Sequence, residues 1–174
     1  MGAAGLLALL LLLLLGVPGR PDPPPALCDP RVVERFIMEA REAETGLAGC
    51  GSPCDLPEPV SVPDPGVNFN LWLRMDAAQR AQEVGGGGAA LVAAVRRARD
   101  LLPNPHLRPL LDRALGAARG LQRLLQAVPG AAPPPTAALP PPRLRVRSLI
   151  RLLGAQSNFL RGKLRLFLGE ACPR

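Results

Sequence analysis

Four segments in which apolar residues recur at helical spacing constrain the fold of this chain more than any other feature. Asp29-Pro30 suits the start of the first helix, since Asp caps helix N-termini and Pro is tolerated at the first helical position, and Thr45-Gly46 suits its end. The other segments run from about Met75 to Leu102, from Pro109 to Val128, and from Arg143 to about Leu168. This periodicity excludes a fully disordered chain, even though 22 Pro and 18 Gly are present among 174 residues.

The fourth segment has the strongest amphipathic pattern. Its apolar face would consist of Leu149, Leu152, Leu153, Leu160, Leu164 and Phe167. The side chains largely opposite that face are Arg147, Arg151, Asn158, Arg161 and Arg165. A helix of this kind buries its leucines and presents its arginines to solvent or to a partner.

The run Gly85-Gly86-Gly87-Gly88 interrupts the second segment. Each interior glycine destabilises a helix by about 0.8–1.0 kcal/mol relative to alanine, so four cost roughly 3–4 kcal/mol. That is a large part of the net stability of about 5–15 kcal/mol of an ordinary domain. Two outcomes stay open: the helix is kinked at this run, or packing and disulfides offset the loss.

The connections between the segments predict the topology. Residues 47–73 form a long Pro-containing link, with short extended pieces at Val60–Val62 and Val67–Phe69, and residues 129–142 form a Pro-rich, extended and solvated linker. The sequence has no sustained strand alternation, so we predict an all-α four-helix bundle. Antiparallel neighbours need only about 2–8 connecting residues. Long first and third links therefore predict the up-up-down-down topology of cytokine bundles, with two long crossover loops.

The N-terminus indicates secretion. Leu6 to Leu15 includes nine leucines in ten residues, which is shorter than the about 20 apolar residues of a membrane span and typical of a signal peptide. We predict a signal peptide at residues 1–19, cleaved after Gly19 or a few residues to either side, and a single secreted four-helix domain at residues 20–174. Since no second long apolar run follows, the mature chain is not expected to insert into a membrane.

Secretion favours disulfides among the four cysteines, which allow three connectivities. A bridge between Cys50 and Cys54 would close a small local loop, and Cys28 and Cys172 would then join the two ends of the mature chain. A loop that long constrains the unfolded chain by roughly 4–5 kcal/mol. The alternative is a metal site, but the cysteines are scattered and the single histidine, His106, lies in a Pro-flanked loop. We expect no metal and no cofactor.

The sequence lacks the motifs of catalysis. It has no nucleophile elbow and no paired-carboxylate motif, and the glycine run lacks the Lys and Ser/Thr of a phosphate-binding loop. The chain is therefore not expected to be an enzyme.

The charge is unevenly distributed along the chain. Residues 1–100 carry 9 basic and 12 acidic side chains, whereas residues 101–174 carry 12 basic and 2 acidic ones. Such asymmetry suits an acidic protein partner, a membrane surface or a nucleic acid. One alternative is thus a cationic membrane-active or heparin-binding protein, which receptor-independent leakage of anionic vesicles would favour. We expect no nucleic-acid partner, because the chain has only four Phe and one Trp for stacking.

Several sequence groups resemble the erythropoietin family of haematopoietic cytokines. They include Leu27-Cys28-Asp29, Val67-Asn68-Phe69, Trp72, the run from Ser157 to Lys163, and Gly169-Glu170-Ala171-Cys172. The middle of the chain, residues 77–156, matches mainly in pattern and length. The resemblance implies a secreted, monomeric hormone that binds and dimerises two copies of the erythropoietin receptor ectodomain, and so promotes survival and differentiation of erythroid progenitors. It also implies the disulfides Cys28–Cys172 and Cys50–Cys54.

The resemblance further implies two receptor-binding faces. The high-affinity face would consist of Val67, Asn68, Phe69, Asn158, Arg161, Gly162 and Leu166. The low-affinity face would consist of Val32, Arg35, Phe36, Gly116, Arg119, Gly120 and Leu124. A growth-hormone-like cytokine with another receptor is a second alternative, against which the end-to-end cysteines and the Ser157–Lys163 run both argue.

The chain departs from the family pattern at several positions. No asparagine begins an Asn-x-Ser/Thr sequence, so we expect no N-glycans, and only Thr136 in the Pro-rich linker suits an O-glycan. Gly66 and Gly154 replace basic residues expected at the high-affinity face.

Overall fold

A computed structural model describes residues 5–6, 25–128 and 143–173 of the chain. The predicted cleavage site, the Pro-rich linker and Thr136 lie outside the described residues, as does the predicted signal segment except for Gly5 and Leu6. The described part of the chain is mostly helical, as the periodicity predicted.

The helices and strands follow one another in a simple order. Helix α1 spans Pro30–Thr45, and the short helix α2 spans Phe69–Arg74. Helix α3 spans Ala77–Leu101, and α4 spans Arg108–Gln126. Helix α5 (Leu149–Phe159) continues through a π-helical turn at Leu160–Leu164 into α6 (Arg165–Ala171). Strand β1 spans Asp55–Pro63 and β2 Arg143–Ser148. Short 3₁₀ turns at Ala26–Cys28 and Ser52–Cys54 precede α1 and β1.

Side-chain caps determine where the first two long helices begin. The Asp29 carboxylate accepts a hydrogen bond from the Arg31 backbone N–H at 2.9 Å, with Pro30 in the first helical position. This confirms the predicted start of α1. In α3, Asp76 and Gln79 form a reciprocal capping box with distances of 2.8 and 2.9 Å, which satisfies two N–H groups that a helix N-terminus leaves unpaired.

The prediction that the last helix begins at Arg143 is wrong. The structure also contains two strands, which the sequence analysis did not predict. Residues 143–148 form β2, which pairs antiparallel with β1, so that Val146 lies opposite Val60 and Leu144 opposite Val62. The helix begins only at Leu149, where the Ser148 hydroxyl accepts a hydrogen bond from the Arg151 N–H at 3.3 Å. The extended piece at Val60–Val62 lies within β1, whereas Phe69 begins a helix and is not extended.

Helix α3 is continuous through the four glycines, and two of them, Gly87 and Gly88, lie where neighbouring helices approach closely. A Cβ atom on Gly87 would come within 2.4 Å of Cε2 of Phe159, whose side chain is fully buried. A Cβ atom on Gly88 would come within 2.9 Å of Cδ1 of Leu125. Packing against α4 and α5 thus offsets the low helix propensity of the run.

The buried apolar side chains form two clusters at opposite parts of the bundle. One lies beneath the sheet and contains Val62, Val95, Leu111 and Leu149, and the other surrounds Phe159. The predicted apolar face of the last helix is confirmed, since all six of its residues are buried. None of the described helices combines the length and the apolar character that crossing a membrane requires.

Two disulfides involve all four cysteines. Cys28, in the turn before α1, is bonded to Cys172 at the end of α6, across 144 residues of sequence. Cys50 is bonded to Cys54 and closes a loop of sequence separation 4 ahead of β1. This is the pairing that the family resemblance implies.

We predict that Gly87→Ala destabilises the protein although alanine is the better helix former. The added methyl group would overlap the buried Phe159 ring, and overpacking of this kind costs about 1–3 kcal/mol. Gly169→Ala is the matched control, because a Cβ atom there meets nothing within 4 Å, and it should stabilise the protein by about 0.5–1 kcal/mol. Urea unfolding of both variants measures the difference, and equal stabilisation by both would contradict the close approach of α3 and α5.

Candidate functional site

The segment before α2 lies directly against the π-helical turn at Gly162. A Cβ atom on Gly162 would be 3.4 Å from Cγ2 of Val67 and 3.6 Å from the backbone oxygen of Pro65. Both distances are ordinary van der Waals contacts, so the segment packs closely on the helix surface at this small residue. The structure therefore places the Val67 region beside the part of the last helix that carries Arg161.

Asn68 and Phe69 begin the short helix α2 at the edge of this surface. The Asn68 side chain accepts a hydrogen bond from the Leu71 N–H at 3.2 Å, so it caps α2 while remaining exposed. Phe69 is 63% exposed, which is unusual for so large an apolar side chain and typical of an interface residue. Asn68 therefore has a structural role that the sequence interpretation missed.

Arg161 is held in place by its own helix. Its Nη2 donates a hydrogen bond to Oδ1 of Asn158 at 2.6 Å, and both side chains are exposed. Leu166, further along the helix, is half-buried and packs on the Phe159 cluster. The exposed Arg165 forms an ion pair with Glu34 of α1, so its charge is engaged within the protein. The surface that includes Val67, Phe69 and Arg161, here called the loop–helix face, therefore has both apolar and cationic side chains.

Lys163 is a residue of this region that the sequence interpretation did not assign. It lies in the π-helical turn, is 5% exposed, and donates a hydrogen bond from Nζ to Oε1 of Glu83 at 2.7 Å. A π-helical turn shifts the register of the following side chains and often occurs at functional sites. The signal in the sequence was that Lys163 is the single lysine of a chain with 20 arginines.

A polar network around Trp72 connects α2, at the edge of the loop–helix face, to α3 and α6. The Trp72 indole N–H donates a hydrogen bond to Glu170 at 3.2 Å, and the Arg80 guanidinium pairs with the same carboxylate at 2.7 Å. The Arg80 guanidinium also lies 5.5 Å from the centre of the Trp72 ring and donates to the Trp72 backbone oxygen at 3.0 Å. These contacts attach α2, which begins at Phe69, to the start of α3 and the end of α6.

The residues of the second predicted face lie on α1 and α4. The Phe36 ring lies across Gly120, with Cε1 and Cζ each 3.8 Å from where a Cβ atom of that glycine would be. Val32, Phe36 and Leu124 are half-buried and pack on the Phe159 cluster. They therefore support this surface and project little from it. The exposed members of this surface, the α1–α4 face, are Arg35, Gly116 and Arg119.

Both faces combine exposed arginines with glycines and partly buried apolar side chains. Arg35, Arg119 and Arg161 form no ion pair within the part of the chain that the structure describes. A guanidinium that is free in this way can form bidentate hydrogen bonds to a carboxylate of a partner protein. The geometry suits binding of an acidic protein surface.

Comparisons with known proteins find a matching family and several similar sequences. A family profile described as Erythropoietin/thrombopoietin matches residues 25–174. The chain is 46% identical to the erythropoietin of Equus caballus, covering 97% of this chain and 94% of that protein. It is 44% identical to the erythropoietin of Felis catus, covering 97% and 93%, and 44% identical to that of Ovis aries, covering 100% and 98%.

We predict that Lys163→Met unfolds far more easily than the wild type. The substitution leaves the Glu83 carboxylate buried without its partner, which costs about 3–5 kcal/mol. The double variant Lys163→Met/Glu83→Leu removes both charges and should regain most of the lost stability, because apolar replacement of a whole buried pair is often neutral. Denaturant unfolding provides both values. A double variant no more stable than the single one would show that the pair is not the source of the loss.

Proposed function

The chain belongs to the erythropoietin/thrombopoietin family, and on that premise we propose that it is a secreted monomeric hormone that dimerises the erythropoietin receptor. Members of this family are cytokine hormones and not enzymes. The observation that carries the proposal is the seating of the Val67 segment on Gly162, beside the exposed Arg161. The secretory signal peptide at residues 1–19 and the single domain at residues 20–174 are part of the same proposal.

We also propose that the helices have the up-up-down-down arrangement. Two contacts support an antiparallel course of α3 and the last helix: Glu83 meets Lys163 in the π-helical turn, whereas Arg80, nearer the start of α3, meets Glu170 near the end of α6. The Cys28–Cys172 bridge joins the start of α1 to the end of α6, which supports the same course for α1. Helices α1 and α3 would then be parallel to each other, and the six residues that separate α3 from α4 suit antiparallel neighbours.

The loop–helix face would bind the first receptor. Arg161 is exposed, and its hydrogen bond to Asn158 restricts the guanidinium before binding, so less conformational entropy is lost on forming the complex. Phe69, 63% exposed at the start of α2, supplies apolar area to the same proposed face. An oriented arginine beside an exposed aromatic ring is the usual composition of an interface hot spot.

The α1–α4 face would bind the second receptor more weakly. Its apolar members, Val32, Phe36 and Leu124, are already half-buried within the bundle, so a partner gains little from covering them. Arg35 and Arg119 remain as the exposed charged contacts. The difference between the two faces supports ordered binding, in which the hormone first occupies one receptor and then recruits a second.

Signalling by this mechanism requires no reaction on the surface of the hormone. The binding free energy of two unlike faces holds two receptor ectodomains in one relative geometry. Receptor dimerisation, and the survival and differentiation of erythroid progenitors that follow from it, would then depend on both faces being occupied. A variant that keeps the stronger face and loses the weaker one should bind without signalling.

Two glycines distinguish this chain at the loop–helix face. Gly154 lies where we expect a basic residue in the family, and a Cβ atom there would be 3.3 Å from Oε1 of Glu44. Gly66 donates its N–H to the Asp64 side chain at 2.8 Å and likewise presents no charge to a partner. The chain thus contacts the first receptor with fewer cationic groups than the family pattern implies.

We predict that the purified chain forms a 1:2 complex with the erythropoietin receptor ectodomain. Arg161→Ala should weaken binding of the first receptor at least about tenfold, since truncating an interface hot spot costs roughly 2 kcal/mol or more. Arg96→Ala, at an exposed position of α3, is the matched control and should bind normally. Light scattering and titration calorimetry measure stoichiometry and affinity. Absence of binding at micromolar concentration would exclude this receptor.

We predict the opposite pattern for Arg119→Ala. The variant should bind one receptor ectodomain with unchanged affinity, but the 1:2 complex should dissociate more readily and signalling in receptor-bearing cells should fall. Arg108→Ala, in the first turn of the same helix, changes the same charge away from this face and should behave like the wild type. Full signalling by Arg119→Ala would remove this residue from the weaker face.

A further inference from the structure

The outer face of the two-stranded sheet carries a row of arginines that the receptor proposal leaves unused. Arg143, Arg145 and Arg147 alternate along β2 with Leu144 and Val146. Val146 is buried opposite Val60, whereas the three arginines are exposed. Alternate residues of a strand project from the same face about 6.6 Å apart, so the row extends over about 13 Å.

A groove extends this row toward the start of α5. It has a volume of about 700 Å³ and is lined by Asp55, Leu56, Pro59, Arg145, Arg147, Ser148 and Arg151. The groove exists because β1 leaves regular pairing with β2 between Asp55 and Val60, where the register shifts. Irregularities of this kind often re-aim side chains at binding sites. Arg151, in the first turn of α5, adds a fourth cation to the row.

Within the described part of the chain, no carboxylate pairs with these four arginines, and Asp55 is the single acidic residue that lines the groove. Glu58, the other carboxylate of β1, is already bound by Arg97 of α3. Three arginines and one aspartate line the groove, and Arg143 continues the row along β2, an arrangement that favours an external polyanion.

We propose that this groove binds a sulfated glycosaminoglycan chain. Guanidinium groups form bidentate hydrogen bonds with oxyanions such as sulfate, and a row at regular spacing matches an anion that repeats along a polymer. The groove contains no aromatic side chain on which a nucleic-acid base could stack. The choice of an extracellular polyanion rests on the proposed secretion of the chain.

The glycan site lies apart from the two receptor faces. Arg143, Arg145 and Arg147 belong to a strand that pairs with the first crossover, and none of them is a residue of the loop–helix or the α1–α4 face. A glycan bound there would retain the hormone at cell surfaces or in matrix while both receptor faces stay available. Arg151 alone shares a helix with receptor positions, since it precedes Gly154 by three residues and Asn158 by seven in α5.

The test compares two variants of the full chain that each lose three positive charges. R143Q/R145Q/R147Q removes the row, and R41Q/R96Q/R108Q removes three exposed arginines scattered over α1, α3 and α4. Heparin is the probe, and the measurements are its dissociation constant at several salt concentrations and the salt needed for elution from a heparin column. We expect at least roughly tenfold weaker binding and a smaller salt dependence for the row variant, and a much smaller effect for the scattered variant.

Several outcomes would overturn the proposal. Equal losses in the two variants would show that net charge alone attracts heparin, and no loss in the row variant would show that the groove is not the site. Equal binding of fully desulfated heparin would show that sulfate is not recognised. Binding of phosphatidylserine vesicles that depends on the row, without binding of heparin, would assign the groove to lipid.

Two controls keep this test separate from folding and from the receptor proposal. Receptor ectodomain should bind the row variant with unchanged affinity. Because receptor binding and heparin binding are measured separately, failure of either one leaves the other proposal testable. If the row variant is not secreted in folded form, R143K/R145K/R147K keeps the charge but loses the bidentate geometry. It should bind heparin more weakly than the wild type, and wild-type binding by the lysine variant would contradict recognition by the guanidinium groups.

Discussion

The close contact between α3 and the ring of Phe159 determines the position of the last helix, on which the proposed loop–helix receptor face depends. A side chain on Gly87 would separate the two helices at the centre of the Phe159 cluster. The π-helical turn begins immediately after Phe159, so the depth at which this ring sits fixes which residues of the turn point inward and which outward. An apparently unfavourable run of glycines is thus a packing requirement.

The π-helical turn places three adjacent residues with different tasks. Lys163 points inward to Glu83, Gly162 receives the segment that carries Val67, and Arg161 points to solvent. The segment packs closely on the helix at position 162, and an apolar residue at 163 would leave the carboxylate of Glu83, whose side chain is 11% exposed, without its partner. Arg161, which we propose contacts a receptor, therefore lies in a turn that the buried Lys163 ties to α3.

Local sequence chemistry predicted the parts of the fold that depend on neighbouring residues. Asp29-Pro30 predicted the start of α1, and the spacing of leucines predicted the buried face of the last helix. The same reasoning extended that helix back to Arg143, because six residues with two apolar positions are too short to distinguish a strand from a helical turn. What makes them a strand is pairing with Val60 and Val62, more than 80 residues earlier. Likewise, the sequence could not predict whether the helix continues through the glycine run, because the residues that pack against the run, Phe159 and Leu125, are distant in sequence.

The covalent bond between Cys28 and Cys172 makes residues 28–172 a closed ring in the topological sense. A protease that cuts the backbone once, anywhere between these residues, leaves two segments that are still one molecule. The helices on either side of such a cut also remain packed against each other, so the two fragments do not separate. Turnover of the hormone in an oxidising environment would therefore require two cuts, or a reducing step, where a chain with free ends requires only one.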